Sequence, residues 1–397
     1  MAYEGFVDMK YRPKNDVVCT FRLEPASAEA MNAVAGESSI GTWTEVKTMN
    51  SRIKKMGATV FSKSGNVIKV AYPAELFEPG NMPQILSSVA GNIFGMKIVR
   101  NLRLEDIELG RLERSFPGPR YGIAGIRKLL GIRGRPLVGT IIKPKLGLRE
   151  HEHATVAYRA WSGGIDIVKD DENLTSQSFN RFEKRVTNTL KMLKKAERET
   201  GENKAYMPNV TAECDEMVRR AHFVKDNGGT YAMVDILTVG WSGLQSLRNA
   251  DTGLVLHAHR AMHAAFTRNP RHGISMMVIG KVAKAIGIDQ LHVGTAVGKM
   301  SEEKKNVIAI AKAIRPVFPV CSGGLHPGMV PELVRMLGND VIIQSGGGIH
   351  GHPDGTRAGA AAMRQAVDAA ASGKDLSIYA KTHEELRKAI TKWGYLK

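Results

Sequence analysis

The sequence predicts an α/β protein in which a C-terminal TIM (β/α)8 barrel follows a smaller ferredoxin-like α+β domain. From Pro136 onward, short apolar segments alternate regularly with helical patterns, whereas the first third of the chain mixes strand-like and helical segments without that order. Between them, RSFPGPRYGIAG has the Pro- and Gly-rich composition of a linker. We therefore place the domains at residues 1–118 and 119–397, the second ending in a short helical tail.

In the first domain, alternation of apolar and polar residues predicts strands and helices. The strand-like segments are FVDMKYRP, VVCTFRLEP, TWTEVKT and NVIKVAYP, and the helical ones are SAEAMNAVAG and MPQILSSVAGNIF, followed by KIVRNLRLEDIEL. Together they indicate a small α+β sandwich of roughly a hundred residues.

The second domain holds candidates for buried parallel strands in PLVGTIIKP, IDIVKDDE, AYMPNVTA, AMVDILTV, LVLHAHRA, QLHVGTA, PVCSGG and VIIQSGGG. Helical periodicity between them, as in EKRVTNTLKMLKKAERET, completes the βα units. Polar residues follow nearly every strand: Lys143, Lys145, Lys169, Asp171, Glu172, Asn209, His259, Arg260, His263, His292, Ser322 and Gly346 to Gly348. The carboxyl ends of barrel strands carry active sites, so we expect these residues to meet there.

Composition limits the classes of function. The 397 residues carry a net charge of +17, 43% hydrophobic content and three scattered cysteines. The chain has neither a long apolar stretch nor a secretory leader, which favours a cytoplasmic protein without membrane spans or disulfides. The positive charge suits nucleic acid or small anions, but the absence of a Lys/Arg block, an RGG tract or an aromatic ladder argues against nucleic acid.

The segment IDIVKDDENLT ends an apolar strand in one lysine and three carboxylates. Side chains alternate along a strand, so Lys169 and Asp171 face one way and Asp170 the other, while Glu172 can turn back toward the pair. Carboxylates suit Mg²⁺, whereas an ammonium beside a cation is repulsive. A buried Lys169 that loses its proton could add CO₂ and become a carbamate ligand. The alternative is a salt bridge from Lys169 to Asp171.

Two further segments supply cations and imidazoles. KPKLGL puts Lys143 and Lys145 on one face, where neighbouring ammoniums suit one of them to proton transfer, unless both are surface lysines. HAHRAMHAAF alternates His257 and His259 before Arg260, a pattern that favours anion binding over a zinc site.

Glycine-rich turns complete the predicted site. SGG at Ser322 to Gly324 and SGGG at Ser345 to Gly348 follow the last two strands, where barrels commonly bind phosphate through backbone N–H groups. GTAVGKMSEEKK is typical of a lid that delivers Lys299 on closing. The residues indicate a Mg²⁺-dependent enzyme that abstracts a proton next to a carbonyl of a phosphorylated small molecule.

The motifs GTIIKPKLGL, GGIDIVKDDEN, HRAMHA, HVGTAVGK, SGG and GGG resemble, in this order, the large subunit of ribulose-1,5-bisphosphate carboxylase/oxygenase (RuBisCO). ESSIGTWTEV and GNIFG extend the resemblance over nearly the whole chain. It implies that ribulose 1,5-bisphosphate reacts through an enediolate with CO₂, giving two 3-phosphoglycerate, or with O₂. The opening YRPKNDVVCTFRLEP and the closing YAKTHEELRKAITKWGYLK are most similar to the archaeal form III group, for which no small subunit is expected.

The resemblance also implies a role for each site residue. Lys169 would be carbamylated by an activating CO₂ and would bind Mg²⁺ with Asp171 and Glu172. Lys143, with Lys145 beside it, would transfer protons, and His259 would assist hydration. Lys299 would act from the lid on the new carboxylate, with Glu37 as its partner. Asn92 would touch the metal-bound substrate. The phosphates and hydroxyls would be held by Arg260, His292 and Ser322 and by Gly323, Gly324, Gly346 and Gly347, with Thr42 and Trp43 from a second subunit. The smallest active unit would be a homodimer, and dimers could assemble further.

Two alternatives stand beside this interpretation. A RuBisCO-like enolase of a methylthio-diketone phosphate would depart from the family pattern at lid, phosphate or N-terminal positions. A non-catalytic basic protein that binds polyanions would lose its site residues. Neither departure is found among the positions compared, and Ile141, where plant-type sequences carry threonine, is shared by other active groups.

Overall fold

The computed structural model describes residues 3–295, 297 and 303–396. Contacts divide this part of the chain into two compact units, residues 3–118 with 262–286 and residues 119–261 with 287–396, and each is described by itself. Residues 262–286 lie within the predicted barrel portion of the sequence but belong by contact to the first unit. The boundary between residues 118 and 119 stays a prediction about independently folding domains.

A five-stranded mixed sheet forms the first unit. Its strands are β1 (Val17–Glu24), β2 (Thr59–Ser64), β3 (Val67–Tyr72), β4 (Asn101–Glu108) and β10 (Gly273–Ile274), in the order β10-β4-β1-β3-β2. β10 runs parallel to β4, and the other pairs are antiparallel. The helices are α1 (Ala28–Glu37), α2 (Ser51–Lys54), α3 (Met82–Val89), α9 (His263–Thr267) and α10 (Met276–Ile286), with 3-10 turns at Ala74–Leu76, Asn92–Gly95 and Gly110–Ser115.

The α+β class predicted for this unit is confirmed, but two of its strand predictions were wrong. TWTEVKT forms no strand, because its alternating residues are mostly exposed on both sides, and FVDMKYRP contributes only a bridge between Val7 and Val60. The edge strand β2 was missed because only Val60 among its six residues is buried, so its sequence lacks a clear apolar face.

Eight parallel strands form the barrel of the second unit. They are β5 (Leu137–Ile141), β6 (Ile167–Lys169), β7 (Ala205–Met207), β8 (Tyr231–Asp235), β9 (Val255–His259), β11 (Gln290–His292), β12 (Phe318–Ser322) and β13 (Ile342–Gln344). Their order is β7-β6-β5-β13-β12-β11-β9-β8, and a parallel bridge between Asn209 and Met233 closes the ring from β7 to β8. All eight predicted barrel strands are therefore present.

One helix of this unit precedes the first barrel strand, and the others lie between or after the strands. The helices are α4 (Gly122–Leu130), α5 (Glu150–Ser162), α6 (Phe182–Thr200), α7 (Cys214–Asp226), α8 (Gly240–Asn249), α11 (Lys304–Ala313), α12 (Val330–Leu337), α13 (Gly347–His350), α14 (Gly355–Ala371), α15 (Leu376–Tyr379) and α16 (Glu384–Trp393), with 3-10 turns at Pro327–Met329 and Ala380–Thr382. Within the described residues, no helix has the length and apolar character needed to cross a membrane.

The apolar core of the barrel lies at the amino ends of its strands. Ile126 and Leu130 of α4 pack in one buried cluster with the first residues of seven strands, namely Leu137, Ile167, Ala205, Tyr231, Val255, Phe318 and Ile342. Burial of this cluster removes apolar surface from water and stabilises the amino-terminal end of the barrel. The carboxyl ends of the strands are left to polar side chains, which is the arrangement expected of an enzyme barrel.

Candidate active site

Lys169 is the last residue of β6 and its side chain is fully buried. Its Nζ lies 2.8 Å from the carbonyl oxygen of Asp170, 3.0 Å from Met233 Sδ and 3.5 Å from Glu172 Oε2. The nearest carboxylate is thus Glu172, and the alternative salt bridge from Lys169 to Asp171 is not formed. A buried ammonium with so few polar neighbours is costly, which marks this position as a functional candidate.

The lysines of the KPKLGL segment reach toward the loop that follows β6. Lys143 Nζ donates to Asp171 Oδ2 at 2.7 Å, and Asp171 is itself buried. Lys145 is exposed and donates to Asn173 Oδ1 at 3.3 Å. Both lysines therefore turn toward the strand that carries Lys169, and only Lys143 is held directly against a predicted metal ligand.

Asp170 points away from these groups, as strand alternation predicts. Its carboxylate is fully buried and accepts from Arg185 Nε at 3.0 Å, from Tyr206 Oη at 2.7 Å and from the backbone N–H of Asn209 at 3.0 Å, with His153 Nε2 at 3.1 Å. Burial by itself would raise the pKa of Asp170, but Arg185 and His153 hold that pKa well below its usual range. Asp170 is therefore a buried, ionised carboxylate whose hydrogen bonds hold the end of β6 in place.

Glu172 is stabilised as a carboxylate by the cations around it. Burial alone would raise its pKa, but the charges of Lys169 and His259 outweigh that effect and lower the pKa to about 2. His259 Nε2 lies 3.7 Å from Glu172 Oε2, and its Nδ1 lies 2.6 Å from Asp235 Oδ1. A carboxylate only accepts, so His259 Nδ1 donates to Asp235, which orients the ring with Nε2 toward Glu172.

Three histidines lie side by side within the barrel. The rings of His257 and His259 stand 4.9 Å and 4.8 Å from the ring of His292, measured between centroids. His257 Nδ1 lies 2.7 Å from Gln290 Oε1, and His257 Nε2 lies 2.9 Å from His292 Nε2. Burial, reinforced by the charge of Lys169, lowers the pKa of His257 well below its usual range, and burial beside His259 does the same for His292.

The glycine turns predicted to bind phosphate follow adjacent strands, because Ser322 at the end of β12 is paired in register with Gln344 of β13. Gly323 and Gly324 have φ angles of +124° and +76°, conformations that residues with a Cβ rarely adopt. Gly346 precedes the short helix α13, and a Cβ there would lie 2.9 Å from Lys143 Cε. Arg260, also predicted to bind an anion, is buried directly after β9.

The remaining predicted residues lie in the first unit or outside the described chain. Glu37 ends α1 and accepts from Tyr3 Oη at 2.5 Å. Thr42 and Trp43 lie in the following loop, where 80% of Trp43 is exposed, and Asn92 is exposed at the start of a 3-10 turn. Lys299 lies outside the described residues.

Several residues of the site were not predicted from the sequence. Asp235 ends β8, the one barrel strand to which no polar residue had been assigned, and an aspartate after an apolar run was the available signal. Gln290 and Met233 were also missed. Gln290 contacts His257 on the neighbouring strand β9, and Met233 of β8 contacts Lys169 of β6 past the intervening β7, so no spacing within the sequence reveals those contacts.

The donor set at the end of β6 fits Mg²⁺ once Lys169 carries a carbamate. Asp171 and Glu172 provide hard oxygen ligands, each now balanced by a lysine ammonium. Among the described residues no three His, Cys, Asp or Glu side chains converge as a metal site. A carbamate on Lys169 would add a third oxygen beside Asp171 and Glu172.

Family models match most of the chain. Residues 122–315 and 310–393 match the model of the ribulose bisphosphate carboxylase large chain, catalytic domain, and residues 5–111 match the model of its N-terminal domain. The chain belongs to the RuBisCO large-chain family. The predicted resemblance is thereby confirmed, and members of the family generally use Mg²⁺ and a carbamylated lysine.

Archaeal members of the family are similar to the chain over its full length. Ribulose bisphosphate carboxylase of Methanosarcina barkeri is 51% identical, with 98% of each chain covered, and that of Pyrococcus furiosus is 51% identical, covering 100% of this chain and 98% of the relative. The solved octameric enzyme from Pyrococcus horikoshii, in complex with sulfate, has a TM-score of 0.94 at 49% identity, covering 98% of this chain and 96% of that one. The dimeric enzyme from Hyperthermus butylicus has a TM-score of 0.93 at 45% identity, with coverage of 98% and 99%.

Proposed function

We propose that this protein is a Mg²⁺-dependent ribulose-1,5-bisphosphate carboxylase that also reacts with O₂. One observation carries the proposal: buried Lys169 lies beside Glu172, and Lys143 holds Asp171, at the end of β6. This arrangement occurs in a chain about half identical to archaeal ribulose bisphosphate carboxylases over its full length. An enediolate chemistry needs a divalent cation, a base and a proton donor, and these four side chains could bind the cation and supply the base and the proton donor.

Lys169 is the residue we propose to be carbamylated. Its ammonium would first lose a proton to solvent, and the neutral amine would then form an N–C bond to the carbon of an activating CO₂ and release a second proton, so that a positive side chain becomes a negative one. The carbamate with Asp171 and Glu172 would then hold Mg²⁺. The bound ion would polarise the substrate carbonyl and stabilise the charge of the enediolate oxygens. Lys169, once modified, would also take the proton from C3.

The other side chains would bind substrate and move protons. Lys143, next to Asp171, would deliver and receive protons during enolisation and product release, and His259 would assist hydration after CO₂ has bonded to C2. One phosphate and the hydroxyls would be held by Arg260, His292 and Ser322, and the other phosphate by Gly323, Gly324, Gly346 and Gly347, with Lys145 nearby. Lys299 would stabilise the new carboxylate.

A second copy of the chain would complete each site. We propose that Thr42 and Trp43 come from the partner, that Glu37 pairs with Lys299 on closure, and that Asn92 touches the metal-bound substrate. The 80% exposure of Trp43 supports this role, since a large aromatic side chain gains stability when a partner covers it. The solved relatives include dimeric and octameric enzymes, which supports a homodimer that can assemble further without a small subunit.

We also propose that the protein works in the cytoplasm and does not bind nucleic acid. Its three cysteines are thiols, two of them buried, which fits a reducing compartment. The positive charge would then serve attraction of a bisphosphate rather than of a polyanion.

The activity is tested by incubating the protein with Mg²⁺ and bicarbonate under anaerobic conditions, then adding ribulose 1,5-bisphosphate and labelled CO₂. Acid-stable label in 3-phosphoglycerate is the expected result. Absence of label with exchange of the C3 proton retained would contradict carboxylation and favour an enolase of the RuBisCO-like type. Absence of both signals, with salt-sensitive RNA binding, would favour a polyanion-binding protein instead.

A further inference from the structure

Two adjoining cavities lie at the amino ends of the barrel strands. Both are lined by Leu130 of α4 and by Asn203, and the segments that lead into β5, β7 and β8 contribute to their walls. We call the first, with a volume of about 150 Å³, the apolar cavity, and the second, with a volume of about 320 Å³, the arginine cavity. The candidate active site lies at the opposite ends of the strands, so neither cavity belongs to it.

The charged side chains that line the arginine cavity are three arginines and one glutamate, namely Arg133, Arg135, Arg364 and Glu202. Arg135 donates to both oxygens of the buried Asp166 at 2.7 Å, and Arg364 Nε donates to Asp368 Oδ1 at 3.1 Å. Within the described residues, Arg364 Nη2 and the guanidinium of the exposed Arg133 have no hydrogen-bonding partner. The cavity therefore offers N–H donors, one of them on an uncompensated cation, to an anion with several oxygens.

The apolar cavity suits a neutral ring. Four leucines line it, namely Leu129, Leu130, Leu190 and Leu193. Its charged lining groups are already paired, because Lys194 Nζ lies 3.1 Å from Glu197 Oε2 and Lys204 Nζ lies 2.6 Å from Glu202 Oε2. An apolar cavity of this size holds one benzene-sized ring. A ligand that enters it therefore needs an uncharged body of about that size.

The length of strand β6 separates the cavities from the proposed metal ligands. Asp166, which Arg135 contacts, comes directly before β6, and Lys169 is the last residue of that strand. Three residues of extended chain span about 10 Å. A ligand in the arginine cavity would thus bind apart from Lys169 and from the glycine turns assigned to the substrate.

We propose that the two cavities together form a binding site for a phosphate monoester of an aromatic or similarly apolar ring. The phosphate lies against Arg133 and Arg364 Nη2, and the ring lies among the leucines of the apolar cavity. Inorganic phosphate alone would leave the apolar cavity unfilled, and a free ring would leave Arg133 without a partner. This inference goes beyond the proposed function and does not depend on it.

The position of the ligand is tested by co-crystallising the protein with phenyl phosphate, which combines the two required groups. The expected electron density places the phosphate beside Arg133 and the ring against Leu190 and Leu193. Phenyl phosphate bound only at the glycine turns, or both cavities without it, would overturn the proposal.

Calorimetric titration measures the contribution of each cavity. The wild type should bind phenyl phosphate at least tenfold more tightly than inorganic phosphate. Arg133→Gln should weaken binding of phenyl phosphate about tenfold, since a charge-assisted hydrogen bond is lost. Arg198→Gln is the matched control, because Arg198 is an exposed arginine of α6 that lines neither cavity, and its affinity should be unchanged.

A second variant tests the apolar cavity separately. Leu193→Phe fills part of its volume, so it should remove the preference for phenyl phosphate while leaving the affinity for inorganic phosphate unchanged. The catalytic residues are the same in all these variants, so any difference from the wild type belongs to the two cavities. Equal affinities of the wild type and Arg133→Gln for phenyl phosphate would refute the proposal, whether or not the protein is a carboxylase.

Discussion

Lys169 carries a positive charge that is buried with few polar partners. Its ammonium is removed from water yet has only a carbonyl oxygen, a thioether sulfur and a carboxylate oxygen at 3.5 Å as near neighbours. Burial of a charged group away from water is costly unless the group is well paired. Proton loss followed by reaction with CO₂ would remove that cost in the presence of a divalent cation. The same feature therefore explains both the burial of Lys169 and its proposed chemistry.

Asp235 orients the histidine that faces Glu172. Replacing it in Asp235→Asn removes the carboxylate that lies 2.6 Å from His259 Nδ1, so the imidazole loses the charged acceptor that orients it. Turnover should fall about 10- to 100-fold with the fold retained, as measured by steady-state carboxylation and circular dichroism. The exposed Asp226→Asn on α7 is the control and should be fully active. Wild-type turnover in Asp235→Asn would show that His259 needs no such partner.

At the scale of elements, the ion pair beneath the site joins helix α6 to strand β6. Arg185 donates to Asp170, to the carbonyl oxygen of Thr175 and to Asn180, so one guanidinium holds the strand end and the loop that leads to the helix. This loop contains the residues that follow Glu172. The geometry of the proposed metal ligands therefore depends on a buried pair that is not itself among those ligands.

Removal of one partner of this pair should be strongly destabilising. Arg185→Ala leaves the Asp170 carboxylate buried without its main counter-charge, and the free energy of unfolding should fall by about 3–5 kcal/mol in urea denaturation. Lys194→Ala on the same helix removes only an exposed pair with Glu197 and should cost less than about 1 kcal/mol. Equal losses in the two variants would contradict the anchoring role.

The pH dependence of stability provides a second readout of the same pair. Because the pKa of Asp170 is lower in the folded state, its contribution is present above the ordinary value of 3.8 and is lost as the pH falls below it. The stability difference between the wild type and Arg185→Ala should therefore shrink as the pH is lowered through that value. A constant difference would indicate that Asp170 is not held as a carboxylate by Arg185.

Buried strands are easier to predict from the sequence than exposed ones. The barrel strands are almost entirely buried, so short, mainly apolar runs such as AYM identify all of them, and the polar residues that follow nearly every run mark the site. Edge strand β2 is exposed and gives no such pattern. Gln290 and Met233 act through contacts between strands that are distant in sequence, and that information appears only when the barrel has closed.

At the scale of the whole molecule, the account requires two chains for each active site. Lys169→Ala removes a residue that the barrel contributes to the active site, and Trp43→Ala removes a residue that we assign to the active site of the partner chain. Each homodimer should lose most of its activity. A heterodimer purified through two different tags contains one site with both parts intact, so it should recover about half of the wild-type activity. Inactive heterodimers would show instead that each chain completes its own site.

The central claim is that Lys169 carries the activating CO₂, and carbon-13 NMR tests it directly. The protein is incubated with ¹³C-bicarbonate and Mg²⁺, and the carbamate carbon is observed in the wild type, in Lys169→Ala and in the control Lys143→Ala. The account predicts a Mg²⁺-dependent carbamate signal in the wild type and in Lys143→Ala, and neither signal nor turnover in Lys169→Ala. A carbamate signal or carboxylation that survives in folded Lys169→Ala would contradict it.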